Sequence, residues 1–456
     1  MTEESFIRVE SKEGVWWLIE PEGRKFITIG LNHVDPLLMT GPYNVERTLN
    51  KYGQDFINSD GTLNFNSQGI KRWYDQVKKD FDDWNFNTFG YHNTLPSKTY
   101  SKDYYYIQPI TLENVSYHYE DFPDVFSNRF QKDVENEVRQ VCSLHKNEKN
   151  LIGYAFMDLP AFEAGNIELA TTSANSRASR IFLKLLKQKQ GFFKESPDLI
   201  HPIVNAYRSL PLGSAGKKEW IRILQTHYGD PETAANVYNL KLTSWKQLEE
   251  TTEWPVSNQI KNTIRDSTEM LTSIYNQYYF LHYTLIKKYD PNHMILGDKL
   301  NGNKGIIDEF VFPILKKYVD IIFIESFSHF EKQVDLLKEI YEKTRKPILI
   351  GDASFSVLQS NQIYCRGIHC ESQEQVGKNY YSFMKNLMSL PFMIGWHHCG
   401  YIEGHEGLRV ENDPFCSMQC GFKDPFENVH IDAIQYVKQA NSLAEFWHNQ
   451  QPTLFT

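Results

Sequence analysis

Acidic residues follow four short apolar runs of the chain. They are Asp158, Asp298, Glu325 and Asp352. If these runs are strands of one sheet, their ends bring the carboxyl groups to one place. Cleavage of a glycosidic bond needs two neighbouring carboxyl groups, because one protonates the leaving oxygen while the other attacks the anomeric carbon or activates water. A single acid can equally cap a helix or form an ion pair, but Asp158 and Asp352 together favour a catalytic pair.

Other polar and aromatic residues stand at the ends of similar runs. An indole can pack against a pyranose ring, and His, Asn and Lys side chains can hydrogen-bond sugar hydroxyls. We therefore predict Asp158 as the general acid and Asp352 as the nucleophile or base. The predicted substrate-binding residues are His33, His92, Asn93, Asp298, Lys299, Glu325, Trp396 and His398.

The histidines could instead indicate a metal centre. His33, His92, His397 and His398 stand at the ends of different runs, where a metallohydrolase gathers its ligands. His397 and His398 are adjacent, however, and would point to opposite sides of a strand. The chain contains neither H-x-H nor H-E-x-x-H. We expect no metal and no organic cofactor, because carboxyl groups suffice for glycosidic cleavage.

The elements that must position these residues alternate regularly. A hairpin over 16–30 opens the chain, and amphipathic helical segments then separate short apolar runs that are typical of parallel strands covered on both faces. The eight predicted strands are 26–30, 86–91, 104–107, 151–156, 293–296, 319–324, 347–350 and 392–396. This alternation predicts an α/β fold, a (β/α)8 TIM barrel. A doubly wound sheet is the alternative, weakened because no glycine-rich phosphate loop follows the first strand.

One connection is much longer than a crossover helix requires. About 135 residues separate the fourth and fifth predicted strands, where a single helix needs far fewer. We predict a helical insertion over 160–290, forming a subdomain or lid beside the barrel mouth. The whole chain, 1–456, then forms a single barrel domain.

Charge and composition exclude several classes of function. The chain has 456 residues and a formal net charge of -9, which argues against binding to nucleic acid or to an anionic membrane surface. No stretch is long and apolar enough to span a membrane. The start of the chain lacks the pattern of a signal peptide, so we expect a cytoplasmic protein, or a periplasmic or secreted one if a signal has been removed. Free thiols are expected; Cys365–Cys370 and Cys416–Cys420 bridges are the alternative in an oxidising compartment.

A set of short segments spread over nearly the whole chain forms a pattern of order and spacing. These segments are 16–30, 84–90, 209–218, 228–230, 244–245, 290–297, 410–412 and 421–424. They resemble the first hairpin, the second strand, the helical insertion, the entry to the fifth strand and the C-terminal loop of glycoside hydrolase family 50, the β-agarases. The resemblance implies a retaining (β/α)8 glycosidase.

Both catalytic positions depart from the family pattern. The family's fourth strand ends in Asn-Glu before Leu-Pro, and its seventh strand ends in a nucleophilic Glu. Aligned on Leu159-Pro160, this chain has Met157-Asp158, and Asp352 stands in the place of the nucleophile. The resemblance thus implies that Asp replaces Glu twice. Because Asp is one methylene shorter, the gap between the carboxyls is expected to open to about 7–8 Å, so retention and inversion both stay open.

These observations predict a glycoside hydrolase that cleaves β-galactosidic linkages in red-algal galactans such as agarose, porphyran or carrageenan. The partner is thus an oligosaccharide or polysaccharide, and the oligomeric state is left open. Two alternatives are a carbohydrate-binding barrel that has lost turnover and a hydrolase of an unrelated β-glycoside. Sulfated sugars form a possible subclass of substrate, because cations near the predicted mouth can hold a sulfate. Those cations are Lys299, Arg366, His369 and Arg409.

Overall fold

The chain opens with a three-stranded antiparallel sheet. In this computed structural model, residues 6–112, 122–158, 200–303, 305–360, 362, 365–408 and 419–450 are described. The sheet consists of β1 (Arg8–Lys12), β2 (Val15–Ile19) and β3 (Lys25–Phe26). The predicted hairpin is confirmed as the β2–β3 pair. Strand β1 was not predicted; it joins β2 through Glu13-Gly14, where both residues have positive φ, as a two-residue hairpin turn requires.

Eight parallel strands follow and close into a barrel. Each of the eight predicted runs overlaps one of them, so the predicted barrel is confirmed. The strands are β4 (Thr28–Asn32), β5 (Thr88–Phe89), β6 (Tyr105–Pro109), β7 (Leu151–Asp158), β8 (Met294–Asn301), β9 (Ile322–Glu325), β10 (Ile348–Ala353) and, after the short β11 (Phe355–Ser356) and β12 (Ile368–His369), β13 (Met393–Cys399). Strand β13 pairs with β4 on one side and with β10 on the other, which closes the barrel.

Helices surround the barrel. Serine side chains cap several of them: Ser67, Ser127 and Ser372 each accept a hydrogen bond from the backbone N–H three residues later. In the described residues the helices are α1 (Val45–Tyr52), α2 (Gln68–Trp84), α3 (Asn128–His145), α4 (Pro202–Arg208), α5 (Ala215–Tyr228), α6 (Pro231–Val237), α7 (Trp245–Glu250), α8 (Ile260–Tyr289), α9 (Val311–Tyr318), α10 (Phe330–Thr344), α11 (Gln373–Leu387) and α12 (Ile431–Asn449). None of these described helices combines the length and hydropathy needed to cross a membrane.

The long connection between β7 and β8 is helical where it is described. Helices α4 to α8 lie within it, and α8 ends at Tyr289, because Asp290 precedes Pro291 and a residue before proline disfavours the helical conformation. Residues 159–199 of the predicted insertion lie outside the described part of the chain. Helix α8 packs against α3 and α5, so it connects the insertion to the barrel's outer layer.

Two apolar cores hold the barrel. The larger one lies between the strands and the surrounding helices. The smaller one lies inside the barrel, where Ile152, Leu296, Phe323, Leu349 and Ile394 meet. Leu18 and Phe26 of the hairpin belong to this inner core, so the hairpin covers the end of the barrel at which the strands begin. The other end, where the strands finish, carries the predicted site residues and is referred to below as the mouth.

Candidate active site

Lys299 is the centre of a charged cluster in the mouth. Its ammonium lies 2.6 Å from Asp352 Oδ2, 3.0 Å from Asp158 Oδ1 and 3.8 Å from Glu325 Oε2. It also lies 2.8 Å from His92 Nε2. The Lys299 side chain has no exposed surface. Five of the predicted site residues are therefore brought together, on strands β7 to β10 and the loop after β5.

Asp352 is the most enclosed member of this cluster. Its side chain is fully buried, and its other oxygen, Oδ1, accepts a hydrogen bond of 2.9 Å from Asn32 Nδ2. The pairing of β10 shifts register between Ile350 and Ala353, which marks a bulge that turns Asp352 into the barrel. Asn32 was not among the predicted site residues, although it ends the first barrel strand beside His33.

Asp158 lies at the open side of the same cluster. About a third of its side chain, 33%, is exposed, and its Oδ2 lies 2.9 Å from His92 Nε2. Lys299 Nζ is 3.0 Å from Asp158 Oδ1 and 2.6 Å from Asp352 Oδ2, so these two oxygens are bridged by a single nitrogen atom. Their separation cannot exceed the sum of those two distances. The nearest carboxyl oxygens are thus closer than the gap of about 7–8 Å that side-chain length alone suggests.

The lysine determines which carboxyls are ionised. Burial favours the protonated form of Asp352, but the charges around it, of which Lys299 contributes most, together hold the pKa of Asp352 well below its ordinary value. The pKa of Asp158 is lowered in the same way, by Lys299 and then His92 acting against burial. Burial acts to lower the pKa of Lys299, yet Asp158 and Asp352 raise it above the ordinary value. The cluster therefore contains two carboxylates and one ammonium.

Glu325 differs from the two aspartates. It is buried at the end of β9, and its Oε1 accepts a hydrogen bond of 2.7 Å from Asn303 Nδ2. Burial raises the pKa of Glu325 to about 8; the charges of Asp158 and Asp352 add to this effect, and Lys299 opposes it. Glu325 is thus the carboxyl of the cluster that carries a proton at neutral pH.

His33 and His92 form a stacked pair beside the aspartates. Their rings are 4.8 Å apart and inclined by 10°. Burial and the nearby His92 hold the pKa of His33 well below its ordinary value, so this imidazole is neutral. Asn93 fixes the loop: its Oδ1 accepts a hydrogen bond from Val34 N, and its Nδ2 donates to Gly90 O. Both ends of the Asn93 amide are therefore occupied by backbone.

A metal ion could draw on the same residues. Nitrogen atoms of His33 and His92 and an oxygen of Asp352 lie within 4.8 Å of one another. The Lys299 ammonium already contacts His92 and Asp352, at 2.8 and 2.6 Å, so a metal would have to displace it. His397 and His398 do not join this group. His397 points into the barrel and contacts Thr28 Oγ1, whereas His398 points outward, as adjacent strand residues should.

Three predicted substrate-binding residues lie outside the barrel. Asp298 is buried against α8, where the Tyr278 and Tyr275 hydroxyls donate to its carboxyl at 3.2 and 3.3 Å. Trp396 is fully buried, with its ring against Tyr380 and Phe383, and His398 stacks on Phe422. The structure therefore corrects the expected placement of Asp298, Trp396 and His398, because their side chains face the helical layer and not the mouth.

Glycines in two strands explain this difference. Met294 and Leu296 of β8 point inward, but Gly297 has a φ of +74° and shifts the alternation, so that Asp298 points outward and Lys299 inward. In β13 Ile394 points inward, and Gly395, with a φ of +151°, shifts the alternation in the same way, so that Trp396 points outward. A one-residue shift moves every later side chain to the other face.

The cations proposed for sulfate have other partners. Lys299 contacts carboxylates, Arg366 Nη1 donates to Cys399 Sγ at 3.7 Å, and His369 Nε2 lies 3.0 Å from Cys365 O. Arg409 and Cys416 are outside the described residues. The five described cysteines are free thiols, and the expected alternative bridge between Cys365 and Cys370 is absent from the described structure.

Comparison with known proteins gives one curated relative and several solved structures. No protein-family model matches the chain. Beta-agarase B of Vibrio sp. (strain JT0107) is 23% identical over 239 residues, which are 52% of this chain and 24% of that protein. The structure of PfGH50B superposes with a TM-score of 0.74 at 18% identity and covers 98% of this chain and 67% of that one. An agarase, AgWH50C, gives 0.74 at 17% identity, covering 97% of this chain and 65% of that one.

The solved structures match nearly all of this chain, but at low sequence identity. A third solved structure, an exo-beta-agarase, has a TM-score of 0.73 at 15% identity and covers 98% of this chain and 66% of that one. The chain spans about a quarter of the curated relative and about two thirds of the solved structures. At sequence identities of 15%, 17% and 18%, the superpositions establish a shared fold and nothing more. The chain therefore has the (β/α)8 barrel fold of solved agarases, in agreement with the family 50 resemblance of its sequence.

Proposed function

We propose that the chain is a glycoside hydrolase that cleaves β-galactosidic linkages in red-algal galactans of the agarose type. The observation that carries this proposal is the approach of Asp158 and Asp352, whose nearest oxygens lie 3.0 and 2.6 Å from the same atom, Lys299 Nζ. Such an approach suits a retaining glycosidase, which holds its carboxyls about 5–5.5 Å apart. The similarity to Beta-agarase B supports the choice of sugar.

The proposed roles follow from charge and access. Asp352 is ionised and held by Asn32, as suits a nucleophile. Asp158 faces the open side, where a leaving oxygen could reach it, but it is ionised while Lys299 contacts it. A sugar between the two aspartates would have to move the Lys299 ammonium aside. Loss of that contact raises the pKa of Asp158 and lets it act as the general acid.

Glu325 is the alternative proton donor. It carries a proton at neutral pH, yet its side chain is only 5% exposed. A leaving group could reach the Asp158 carboxyl, but that carboxyl is ionised. The Glu325 carboxyl is protonated, but it is buried. Substitution of each residue by its amide separates the two roles: the donor's amide variant loses activity on substrates with poor leaving groups and retains more on activated aryl glycosides, because these need little protonation.

The test of the proposed function is release of sugar from defined agarose, porphyran and carrageenan oligosaccharides by the whole chain. We expect turnover on at least one of these galactans and loss of turnover in Asp352→Asn. Glu342→Gln, at an exposed position of α10, is the matched control and should keep full activity. Full activity in Asp352→Asn would refute the assignment. No release from any galactan would refute the proposed substrate class.

A second candidate is a carbohydrate-binding barrel without turnover. The specific observation in its favour is that Lys299 Nζ stands between the two carboxylates, with both at ion-pair distance. In that case oligosaccharides bind to the protein and are recovered uncut. Analysis of the sugar recovered after incubation with the wild-type chain distinguishes the two, since a binding barrel returns the oligosaccharide uncut and the proposed hydrolase returns shorter products.

A further inference from the structure

Asp298 is buried on the outer face of β8, between the barrel and helix α8. Its side chain is 1% exposed and points away from the mouth, but it directly precedes Lys299, whose ammonium is the centre of the charged cluster. Lys299 in turn pairs with Asp158 across the ladder of β7 and β8. Contacts of the Asp298 carboxyl therefore act on the backbone that carries both of these charged residues.

The ladder between β7 and β8 is irregular just before Asp158. Ala155 pairs with Gly297 and Asp158 pairs with Lys299, so β7 has one residue more than β8 between these pairs. The extra residue makes a bulge, in which a backbone group leaves the regular ladder. Met157 N lies in this bulge and donates a hydrogen bond of 3.1 Å to Asp298 Oδ1. The Asp298 carboxyl therefore anchors the backbone immediately before Asp158.

Tyrosines of α8 hold the Asp298 carboxyl in turn. The Tyr278 hydroxyl donates to Oδ1 at 3.2 Å, and the Tyr275 hydroxyl donates to Oδ2 at 3.3 Å. The backbone N–H of Asp298 donates to the Tyr279 hydroxyl at 2.8 Å. A Cβ atom at Gly297 would lie 2.7 Å from that same hydroxyl, so the helix lies directly against the backbone of β8. The place of Asp298 is therefore fixed by α8, the last helix of the insertion.

We propose that Asp298 is a positioning residue through which α8 holds the bulge of β7, and with it the approach of Asp158 to Lys299. This inference rests on the proposed function and goes beyond it, because it makes a helix of the insertion part of the catalytic geometry. Asp158 Oδ1 lies 3.0 Å from Lys299 Nζ, and a displacement of about 1 Å at a reacting group can cost about a hundredfold in rate. A bulge released from Asp298 would leave Asp158 free to move by such an amount.

The test compares Asp298→Ala and Asp298→Asn in the whole chain, on a galactan oligosaccharide that the wild type cleaves. Alanine removes the acceptor of Met157 N, so kcat should fall about tenfold or more, while KM stays within about threefold because the residue points away from the mouth. Asparagine keeps an acceptor oxygen in a side chain of the same shape. Burial raises the pKa of Asp298 to about 7, so its carboxyl is mostly uncharged at about pH 6, where the amide should restore kcat to within about threefold of wild type.

Asp290→Ala is the matched control. Asp290 is a fully buried carboxyl that also accepts a hydrogen bond from a tyrosine, Tyr154, at 2.7 Å, but it lies just before β8, at the end of the barrel where the strands begin. Its loss should lower stability and leave kcat unchanged. A second pair of variants serves if Asp298→Ala does not fold. Tyr275→Phe/Tyr278→Phe frees the Asp298 carboxyl from α8 and should lower kcat about threefold or more, whereas Tyr154→Phe should not.

A readout that needs no turnover separates this inference from the proposed function. Crystal structures of wild type and of Asp298→Ala give the distance from Asp158 Oδ1 to Lys299 Nζ, which should lengthen from 3.0 Å to beyond about 4 Å, the limit of an ion pair. An unchanged distance, or a kcat equal to that of wild type, refutes the positioning role alone. An equal fall of kcat in Asp290→Ala also refutes it. A longer distance in a chain that cleaves no galactan supports the positioning role and refutes the proposed hydrolase.

Discussion

Lys299 and Asp352 form an ion pair of 2.6 Å in which neither side chain is exposed to solvent. A buried pair of this kind is costly to break, because removal of one partner leaves the other charge without compensation in a medium of low dielectric constant. Asp158 and His92 share the same ammonium, so the charge state of the whole mouth depends on this one residue.

Lys299→Met should destabilise the protein by about 3–5 kcal/mol at neutral pH, because it leaves the buried Asp352 carboxylate without its closest cation. Urea unfolding followed by circular dichroism measures the loss. The double variant Lys299→Met/Asp352→Asn should recover part of it, since no buried charge then remains at position 352. Additive losses in the double-mutant cycle would contradict the proposed coupling.

Glu325 should make the protein less stable as the pH rises. Its folded pKa is about 8 and its unfolded pKa about 4.3, so the folded state binds more protons between these values. Its contribution to stability is present in full below about pH 4.3 and is lost as the pH rises through about 8. Thermal midpoints between about pH 5 and 9 should fall less steeply in Glu325→Gln than in wild type. The exposed Glu342→Gln should keep the wild-type slope, and an identical slope in Glu325→Gln would contradict the assignment.

Hydrolysis should retain the anomeric configuration. Asp158 Oδ1 and Asp352 Oδ2 lie 3.0 and 2.6 Å from Lys299 Nζ, so these oxygens are closer together than the separation of about 6.5–9.5 Å that is typical of inverting enzymes. This approach favours direct attack by Asp352. Proton NMR of the first product distinguishes the outcomes. A product with the opposite anomeric configuration would make Asp352 a base for water.

Trp396→Phe should lower stability and leave sugar binding unchanged, because the indole packs on Tyr380 and Phe383 outside the barrel. The loss should be smaller than the about 3–5 kcal/mol of truncation to Ala. Chemical denaturation and oligosaccharide titration on the same preparation measure both effects. A tenfold loss of affinity in a variant of wild-type stability would place the indole in the site after all.

Dialysis against EDTA should leave turnover unchanged. The Lys299 ammonium already contacts His92 and Asp352, two of the three described residues whose ligand atoms lie close enough together to bind a cation. Activity that falls on dialysis and returns with zinc would show that a metal displaces the lysine in the working enzyme.

The sequence predicted the barrel well because short apolar runs separated by amphipathic segments leave few ways to bury both faces of a parallel sheet. It was harder to predict which side chains of each strand point into the barrel and which point outward. Strict alternation from Leu296 places Asp298 inside, and from Ile394 it places Trp396 inside, yet each strand contains a glycine bulge that reverses the order. Gly297 and Gly395 were visible as glycines within strand patterns, and such glycines are a recognised sign of a bulge.

The members of the charged cluster were predictable, but their contacts were not. Asp158, Lys299, Glu325 and Asp352 were all expected in the mouth. Which carboxyl keeps its proton depends on distances of 2.6, 3.0 and 3.8 Å to one ammonium, and no one-dimensional pattern contains those distances.

The N-terminal hairpin closes the end of the barrel at which the strands begin, and this affects how a ligand enters and leaves the mouth. Leu18 and Phe26 fill that end together with the inner core, so in the described part of the chain a ligand in the mouth has no exit through the barrel. Under the proposed function, product must therefore leave on the side from which substrate arrives. Accumulated product is then expected to slow hydrolysis by occupying the mouth.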